Sequence, residues 1–244
     1  MSSYNKQRLD TCVHRQGYSQ TRSQAGHLIR LGHVKVNGAI IKKPGHMVSP
    51  QDKVRVSKQQ QYVSRAGLKL DSVAELFAVS FQDAVVLDVG SSTGGFTDYA
   101  LQHGARKVIA VDVGTNQLHH SLRGHPKIEL HERTDIRDFS TGEPVDIVLI
   151  DVSFISQTKL LPHIKRLIQS DTDILSMVKP QFESGSASQL RGGVVKNNRL
   201  RRQILQNFEQ AVRQDYKIIA SRDASVAGER GNIERFYHLR AIQQ

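Results

Sequence analysis

One short segment constrains the fold of this chain more than any other: residues 85–97 read VVLDVGSSTGGFT. An apolar run ends in Asp88, a glycine-rich loop follows, and helical spacing begins at Phe96. Glycines let the backbone approach a ligand closely, and the N-terminus of the following helix faces that ligand. The segment therefore predicts the first strand, loop and helix of a nucleotide-binding α/β sheet.

The spacing and the charge of this loop indicate its ligand. Gly90, Gly94 and Gly95 have the spacing Gly-x-x-x-Gly-Gly, whereas dinucleotide-binding loops have Gly-x-Gly-x-x-Gly. Asp88 stands just before the loop, where a carboxylate would repel a pyrophosphate and attract a cation. S-adenosylmethionine carries an ammonium and a sulfonium and no phosphate, so the loop favours this methyl donor. A Rossmann-like turn for another ligand is the alternative.

Positive charge is concentrated at the N-terminal end of the chain. Residues 1–61 contain 11 Lys and Arg against only Asp10 and Asp52, a net charge of +9 out of the +11 of all 244 residues. This length has room for one large domain and a small one. A basic segment beside a nearly neutral remainder favours a nucleic-acid-binding module, and a solvated basic face is the alternative.

The composition also excludes several kinds of site. Cys12 is the only cysteine, so the chain has no intrachain disulfide and no cysteine-based zinc site. No apolar run approaches the ~20 residues that a membrane span needs, and the first residues, MSSYNK, do not resemble a signal peptide. We therefore expect a cytoplasmic monomer that binds neither a membrane nor a metal ion.

The basic segment predicts a small α+β domain over residues 1–57. Apolar spacing predicts helices from Arg8 and over residues 22–31, the second capped by Ser19 or Thr21. Asn37-Gly38 is a strong hairpin signal between short strands. The polar residues 58–61 are predicted to be a linker, followed by the second domain over residues 62–244.

Beyond the linker, strand and helix patterns alternate in the manner of a doubly wound sheet. A helix is predicted over residues 64–77, with Leu68, Leu70, Val73, Leu76 and Phe77 facing inward. After the strand of the glycine loop, six more strands are predicted, over residues 107–112, 128–132, 145–151, 173–178, 216–222 and 235–241. Helical spacing also covers residues 155–168 and 200–213. The fold class is therefore α/β, with a seven-stranded, mostly parallel, Rossmann-like sheet.

Ligands of such sheets bind beyond the carboxyl ends of the strands, so Asp88, Asp112, Asp151 and Lys179 should converge on one crevice. Asp112 lies about 20 residues past the glycine loop, where an acid commonly binds ribose hydroxyls. Asp135 follows the third strand and can accept a hydrogen bond from an adenine amino group. For each carboxylate, capping of the next helix is the alternative. Glu234 opens the last strand, and buried Lys and Glu are costly unless they are paired.

The basic segment resembles the RNA-binding domain named after ribosomal protein S-four. The resemblance rests on RLD at residues 8–10, TRSQA at 21–25, GHVKVNG at 32–38 and Lys43-Pro44. It implies that the helices and hairpin bind structured RNA through its phosphates rather than its bases. The side chains expected to neutralise phosphates are Arg8, Arg22, Arg30, Lys35, Lys42 and Lys43.

The chain as a whole resembles the TlyA family of ribosomal-RNA 2′-O-methyltransferases, historically labelled hemolysins, whose second domain is FtsJ-like. The resemblance rests on SRAGLKL at residues 64–70, the glycine loop, DVG at 112–114, the segments at Asp151 and Lys179, GVV at 193–195 and GNIE at 231–234. It implies a catalytic tetrad of Lys69, Asp151, Lys179 and Glu234. It implies cofactor contacts at Asp88, Gly90, Ser91, Thr93, Gly94, Gly95, Phe96, Thr97, Asp112 and Asp135.

The chain departs from this family at three places. Asp135 stands where the family usually has Asn, Val226 where it has Pro, and Arg235 where it has an aromatic or aliphatic residue. Either Asp or Asn can bind the edge of an adenine.

The implied reaction is methyl transfer from S-adenosylmethionine to a ribose 2′-hydroxyl, expected on a cytidine of 16S ribosomal RNA, 23S ribosomal RNA or both. Lys179 would take the hydroxyl proton if Lys69 made it neutral, and otherwise would stabilise the alkoxide. Asp151 would orient Lys179, and Glu234 would hold Lys69 or the substrate hydroxyl. The alternatives are a non-catalytic RNA-binding or ribosome-assembly factor, a cytolytic protein, and a nicotinamide-dependent dehydrogenase.

Overall fold

The computed structural model describes residues 6–19, 21–30, 32–56, 62–185, 193–225, 228 and 231–242. The chain divides into two compact units, residues 1–61 and 62–244, which are described separately below. The predicted linker at residues 58–61, Leu31 at the predicted end of the second helix and Val226 lie outside the described residues.

The described residues of the N-terminal unit form two helices and short strands around one small core. In chain order its elements are β1 (Gln7–Arg8), α1 (Leu9–Arg15), α2 (Arg22–Arg30), β2 (Val34–Val36), β3 (Ala39–Ile40), β4 (Met47–Val48) and β5 (Val54–Val56). The strands form a β3-β2-β5 sheet and a β1-β4 pair. Leu9, Val13, Ala25, Ile29 and Val34 form the centre of the core and are completely buried.

Local sequence accounts for the shape of this unit. Thr21 and Gln24 form a capping box at the start of α2: the Gln24 N–H donates to Thr21 Oγ1 (3.2 Å) and the Thr21 N–H donates to Gln24 Oε1 (3.0 Å). Asn37 and Gly38 have φ values of 52° and 87°. A two-residue hairpin turn that matches the strand twist requires positive φ at both positions. The predicted hairpin turn between β2 and β3 is therefore confirmed.

The C-terminal unit is a seven-stranded sheet with helices on both faces, as predicted. Its helices are α3 (Arg65–Ala74), α4 (Gly95–Gln102), α5 (Leu161–Ile164), α6 (Pro180–Glu183) and α7 (Asn198–Val212). Its strands are β6 (Val85–Val89), β7 (Lys107–Val111), β8 (Ile128–His131), β9 (Ile147–Ile150), β10 (Asp173–Val178), β11 (Tyr216–Asp223) and β12 (Arg235–Ala241). The sheet order is β11-β12-β10-β9-β6-β7-β8. Within this described sheet, β12 runs antiparallel to both of its neighbours, and the strands from β10 to β8 are parallel.

The central strand β6 shows why both faces of the sheet are covered. Val85, Leu87 and Val89 belong to a cluster on one face that also contains residues of α5 and α7. Val86 belongs to the cluster on the other face, together with residues of α3 and α4. A parallel strand buried on both faces needs apolar residues at successive positions, and the apolar run before the glycine loop meets that need.

Two predicted helices are shorter than the sequence pattern indicates. Helix α3 ends at Ala74, so Leu76 lies in the following turns and is 61% exposed, contrary to the prediction that it faces inward. Residues 155–168 do not form one continuous helix: two 3₁₀ turns flank the single turn of α5. Pro162 provides the physical reason, because a proline inside a helix has no N–H to donate and clashes with the preceding turn.

The sheet topology brings the candidate residues to one edge. Gly90, Asp112, Asp151 and Lys179 each directly follow a strand of the parallel set. Strand β12 runs the opposite way, with Arg235 paired to Val178. Glu234, just before Arg235, therefore lies at the same edge of the sheet as Lys179.

Candidate active site

The glycine loop follows β6 with a backbone that only glycine adopts readily. Gly90 and Gly94 have φ values of 83° and 87°. A Cβ on Gly94 would lie 2.6 Å from a methyl carbon of Leu122, and a Cβ on Gly95 would lie 2.1 Å from Ser64 Oγ. The glycines at 94 and 95 thus make room for neighbouring segments of the protein itself, which the sequence did not predict.

A cavity of about 370 Å³ opens at the carboxyl edge of the sheet. Its lining includes Gly90, Asp112, Asp135 and Asp151 among the predicted site residues. The other lining residues are Val89, Ser92, Val111, Val113, Gln117, Thr134, Ile136, Val152, Ser153, Phe154, Ile155 and Leu160. Among these described lining residues there are three carboxylates and no Lys, Arg or His, so the cavity suits a cationic ligand better than a phosphate.

Asp112 and Asp135 are held in place by the backbone around them. Asp112 Oδ2 accepts a hydrogen bond from the Ser92 N–H (2.8 Å), and Oδ1 accepts one from the Gly114 N–H (2.6 Å). A carboxylate oxygen has further acceptor capacity after one such bond. Asp135 accepts from the backbone N–H and the side chain of Arg137, and the Arg137 guanidinium lowers the pKa of the Asp135 carboxyl.

Two ion pairs lie at the same edge of the sheet. Lys69 Nζ is 2.7 Å from Glu234 Oε2, and Lys179 Nζ is 2.7 Å from Asp151 Oδ1. Lys179 Nζ also donates to Ser153 Oγ at 2.8 Å. All four charged side chains are at most 17% exposed. Asp151 is thus placed to orient Lys179, and of the two partners expected for Glu234, Lys69 or the substrate hydroxyl, the structure shows Lys69.

Helix α3 carries Lys69 to this edge because it packs closely on the start of α4. A Cβ on Gly67 would lie 2.8 Å from the Gly95 carbonyl oxygen, so a larger residue at 67 would separate the two helices. Lys69 lies next to the apolar side chains of α3. The structure buries it, and the Glu234 carboxylate supplies the counter-charge that a buried ammonium needs.

Sequence comparison assigns the chain to a known family. Residues 62–241 match the family model of the FtsJ-like methyltransferases, and residues 7–54 match the S4 domain. The chain belongs to the FtsJ-like methyltransferase family.

Similar full-length proteins support this assignment. The chain is 36% identical to Hemolysin A of Brachyspira hyodysenteriae, over 95% of this chain and 99% of that protein. It is 37% identical to the 16S/23S rRNA (cytidine-2'-O)-methyltransferase TlyA of Mycobacterium tuberculosis, over 96% of this chain and 89% of that protein. A solved structure from Streptococcus thermophilus that carries the name hemolysin is 34% identical, covers 98% of this chain and 90% of its own, and has a TM-score of 0.73.

Several predicted site residues of this methyltransferase domain lie behind the cavity rather than on its surface. Asp88 is 1% exposed and accepts a hydrogen bond from Thr97 Oγ1 at 2.6 Å. Its Oδ1 has no hydrogen-bond partner among the described residues, and burial raises the pKa of its carboxyl to about 7. Ser91 Oγ is likewise buried without a described partner. Phe96 is buried against Phe236 in the core, with ring centroids 6.1 Å apart.

The departure at position 235 has a local structural basis. Arg235 Nε donates to Asp223 Oδ1 at 2.7 Å, and Arg201 Nη2 donates to the same oxygen at 2.6 Å. Arg201 Nε also donates to the Ile233 carbonyl. An arginine at 235 therefore joins an ion-pair network that holds the start of β12, next to Glu234.

Sequence reasoning missed a group of residues beside the Lys179–Asp151 pair. Phe154 is 91% exposed, has a φ of 68°, and its ring centroid lies 5.0 Å from that of Phe182. Glu183 is partly buried and accepts hydrogen bonds from Ser156 and Gln157. Core packing does not explain the residue patterns at 151–156 and 178–183. This feature of the sequence could have identified these residues.

The predicted RNA-binding side chains of the N-terminal unit fall into two groups. Arg8 Nη2 lies 2.7 Å from Asp10 Oδ2, and Arg22 Nε lies 3.7 Å from the same oxygen. The remaining four cations, Arg30, Lys35, Lys42 and Lys43, have exposed side chains. Half-exposed or fully exposed cations can reach phosphates without any rearrangement of the core.

The described residues offer no helical membrane span and no metal-binding cluster. No helix in the described part of the chain is both long and apolar enough to cross a bilayer. Within those ranges, no group of three or more His, Cys, Asp and Glu side chains is placed to hold a metal ion.

Proposed function

We propose that the protein transfers a methyl group from S-adenosylmethionine to a ribose 2′-hydroxyl of ribosomal RNA, on a cytidine of the 16S RNA, the 23S RNA or both. The observation that carries this proposal is the double ion pair, Lys69 with Glu234 and Lys179 with Asp151, beside an acid-lined cavity. The relative from Mycobacterium tuberculosis is named for this reaction. The family of the second domain and the S4 domain of the first are consistent with it.

The chemistry of the cavity fits S-adenosylmethionine. Three carboxylates line it and no described cation does, which suits a ligand with an ammonium, a sulfonium and no phosphate. Asp112 would accept from the ribose hydroxyls and Asp135 from the adenine amino group. Gly90 and its loop, from Ser91 and Thr93 to Gly94 and Gly95, would approach the ligand with backbone groups. Asp88, Phe96 and Thr97 would support that loop from behind.

The cofactor supplies an electrophilic methyl group, and the residues of this chain would activate and place the acceptor oxygen. Lys179 Nζ forms an ion pair with the Asp151 carboxylate and donates to Ser153 Oγ. A charged Lys179 would stabilise the negative charge that develops on the 2′-oxygen. In its neutral form Lys179 would take the 2′-hydroxyl proton as the base, and otherwise that proton would pass to solvent. Lys69, held by Glu234, would add a second positive charge.

Binding of RNA would involve both units. The exposed cations Arg30, Lys35, Lys42 and Lys43 of the N-terminal unit are suited to RNA phosphates. In the second unit, the exposed Phe154 lines the cavity beside Asp151, and unpaired bases stack on aromatic side chains. The positive φ of Phe154 fits a functional position, because strained backbone clusters at active sites and ligand clamps.

Transfer of labelled methyl groups tests the proposed function. Purified protein would be incubated with tritiated S-adenosylmethionine and with each ribosomal subunit from cells that lack the protein. We expect label in the RNA of at least one subunit, released on nuclease digestion as 2′-O-methylcytidine. Lys179→Ala should abolish transfer and retain cofactor binding by calorimetry. RNA binding without any transfer by the wild type would instead support the non-catalytic RNA-binding factor.

A further inference from the structure

Glu183 is a partly buried carboxylate that the proposed reaction leaves without a role. It is the last residue of α6, the short helix that begins directly after Lys179. Burial raises the pKa of its carboxyl, although hydrogen bonds from Ser156 and Gln157 oppose the shift. A buried carboxylate is costly unless its oxygens are well satisfied, so the partners of Glu183 indicate what it does.

Both oxygens of Glu183 bind the end of the loop that starts at Asp151. Ser156 Oγ donates to Glu183 Oε2, and the Gln157 backbone N–H donates to Glu183 Oε1 at 2.8 Å. Residues 151–156 contain no helix or strand. One carboxylate therefore ties this loop, which follows β9, to the helix that follows β10.

The side chain of Gln157 strengthens the same connection. Gln157 is 1% exposed, and its Nε2 donates to the Met177 carbonyl oxygen at 2.8 Å. Its Oε1 accepts a hydrogen bond from Ser176 Oγ. Ser176 and Met177 belong to the part of β10 that leads into Lys179. The far end of the loop is thus attached to both sides of Lys179, at β10 and at α6.

The near end of the loop carries the groups that contact Lys179. Asp151 Oδ1 lies 2.7 Å from Lys179 Nζ, and Ser153 Oγ accepts from it at 2.8 Å. Strand β9 ends at Ile150, before both residues. The Asp151 N–H still donates to the Val89 carbonyl oxygen of β6 at 3.0 Å, so the sheet anchors the start of the loop. Where Ser153 and the rest of the loop lie depends on how the far end is held, and Glu183 holds that end.

We propose that Glu183 is a positioning residue for Lys179. It holds residues 151–156 against β10 and α6, so that Asp151 and Ser153 keep the Lys179 ammonium at one place beside the cavity. Glu183 itself does not line the cavity, and it acts only through the loop. The catalytic consequence rests on the proposed function, whereas the positioning of Lys179 can be tested without it.

Two variants and a matched control test the catalytic consequence. Glu183→Ala removes both acceptors, and Glu183→Gln keeps the one that accepts from the Gln157 N–H. We expect kcat to fall by about tenfold or more in Glu183→Ala and by less in Glu183→Gln, with the cofactor KM little changed, because a displaced catalytic group slows the chemical step. Glu209→Ala is the control, since Glu209 also accepts from a mostly buried hydroxyl, that of Tyr237 at 2.9 Å. Its kcat should stay at the wild-type value.

A wild-type kcat in Glu183→Ala would overturn the proposal. So would a loss of kcat in Glu209→Ala that equals the loss in Glu183→Ala, because the effect would then reflect general destabilisation. If Glu183→Ala does not fold, Glu183→Gln decides the matter by the same comparison of kcat with cofactor KM.

Lysine labelling tests the positioning without any enzymatic activity. Wild type and Glu183→Ala would be treated with trace acetic anhydride, and acetylation would be quantified by peptide mass spectrometry. Lys165 is the internal reference, because its Nζ also lies 2.7 Å from a carboxylate, that of Asp215. We expect the ratio of Lys179 to Lys165 labelling to rise about twofold or more, since a Lys179 amine that Ser153 and Asp151 hold less firmly is more accessible to the reagent.

The labelling result separates the two proposals. An unchanged ratio would overturn the positioning role, whatever the activity of the wild type. A raised ratio in a protein that transfers no methyl group would support the positioning role and overturn the proposed function.

Discussion

Lys69 and Glu234 form a buried ion pair, with Nζ 2.7 Å from Oε2 and side-chain exposures of 10% and 5%. Lys69 lies on a helix before the first strand of the sheet, and Glu234 lies just before the last strand. The pair therefore joins the two ends of the methyltransferase domain at the carboxyl edge of the sheet. Its geometry makes a first prediction about stability and activity.

Glu234→Leu should destabilise the domain more than the double variant Lys69→Met/Glu234→Leu. The single change leaves the Lys69 ammonium buried without a counter-charge, which costs about 3–5 kcal/mol, whereas replacing both partners by apolar residues is often close to neutral. Urea unfolding measures the free energies, and methyl transfer should be lost in both variants. A double variant that is no more stable than the single one would show that the uncompensated charge is not the cause.

Asp88 should make the stability of the domain fall as pH rises. Burial raises the pKa of the Asp88 carboxyl from 3.8 to about 7, so between these pH values the folded state binds a proton that the unfolded state has released. Stability then decreases with rising pH through this window, by about 1.4 kcal/mol per unit of pKa difference. In Asp88→Asn this loss should be absent.

The measurement is the free energy of unfolding of wild type and Asp88→Asn from pH 4.5 to 8. Glu183, whose carboxyl pKa is also raised by burial, is present in both proteins and cancels in the comparison. Thr97 Oγ1 can still donate to the side-chain amide oxygen of the variant, so the hydrogen bond is preserved. Parallel pH profiles would contradict the prediction.

Asp112→Asn should weaken cofactor binding. The backbone N–H groups of Ser92 and Gly114 hold both oxygens of Asp112 at the cavity wall. Hydrogen bonds to a charged acceptor contribute about 1.5–3 kcal/mol, so we expect an affinity loss of about tenfold or more for S-adenosylhomocysteine by calorimetry. Glu132→Gln is the control, because Glu132 accepts from Thr115 Oγ1 and does not line the cavity. Equal losses in the two variants would rule out a specific contact.

Replacing Lys35, Lys42 and Lys43 by Gln should reduce the salt dependence of RNA binding. Each lost phosphate contact lowers the slope of log K against log salt concentration by about 0.7–0.9. The matched control replaces Arg213, Lys217 and Arg222, which are three exposed cations of the other unit. Fluorescence anisotropy with a ribosomal RNA fragment measures both slopes. If the slope falls by the same amount in both triple variants, only overall charge matters and the N-terminal unit is not the RNA-binding module.

Features set by neighbouring residues could be predicted from the sequence. The Asn37-Gly38 hairpin turn and the seven strands depend on local backbone preferences and on apolar periodicity. The prediction of one helix over residues 155–168 is wrong because Pro162 interrupts the apolar periodicity on which the prediction rests. Leu76 was placed inward because the pattern did not show that α3 ends at Ala74.

The candidate site could be predicted only in part, for a related reason. Strand ends are visible in the sequence, so the carboxylates at 112, 135 and 151 could be placed at the cavity in advance. The burial of Asp88 and the packing of Gly94 against Leu122 could not, because they depend on which side chains meet across the fold. Glu183 was overlooked because its partners, Ser156 and Gln157, lie on another loop.

By itself, the sequence determined the α/β class, the glycine-loop strand and helix, the basic N-terminal module and the order of the strands along the chain, because these follow from residues close together in the chain. Only the tertiary structure decided which charges pair. The antiparallel register of β12 puts Glu234 beside the end of β10, and the close packing of Gly67 on Gly95 brings Lys69 to it. Ion pairs between distant segments depend on register and helix packing, which no local pattern specifies. The glycine loop thus predicts a methyl donor, and the tertiary contacts around Lys179 assemble the groups that would activate its acceptor.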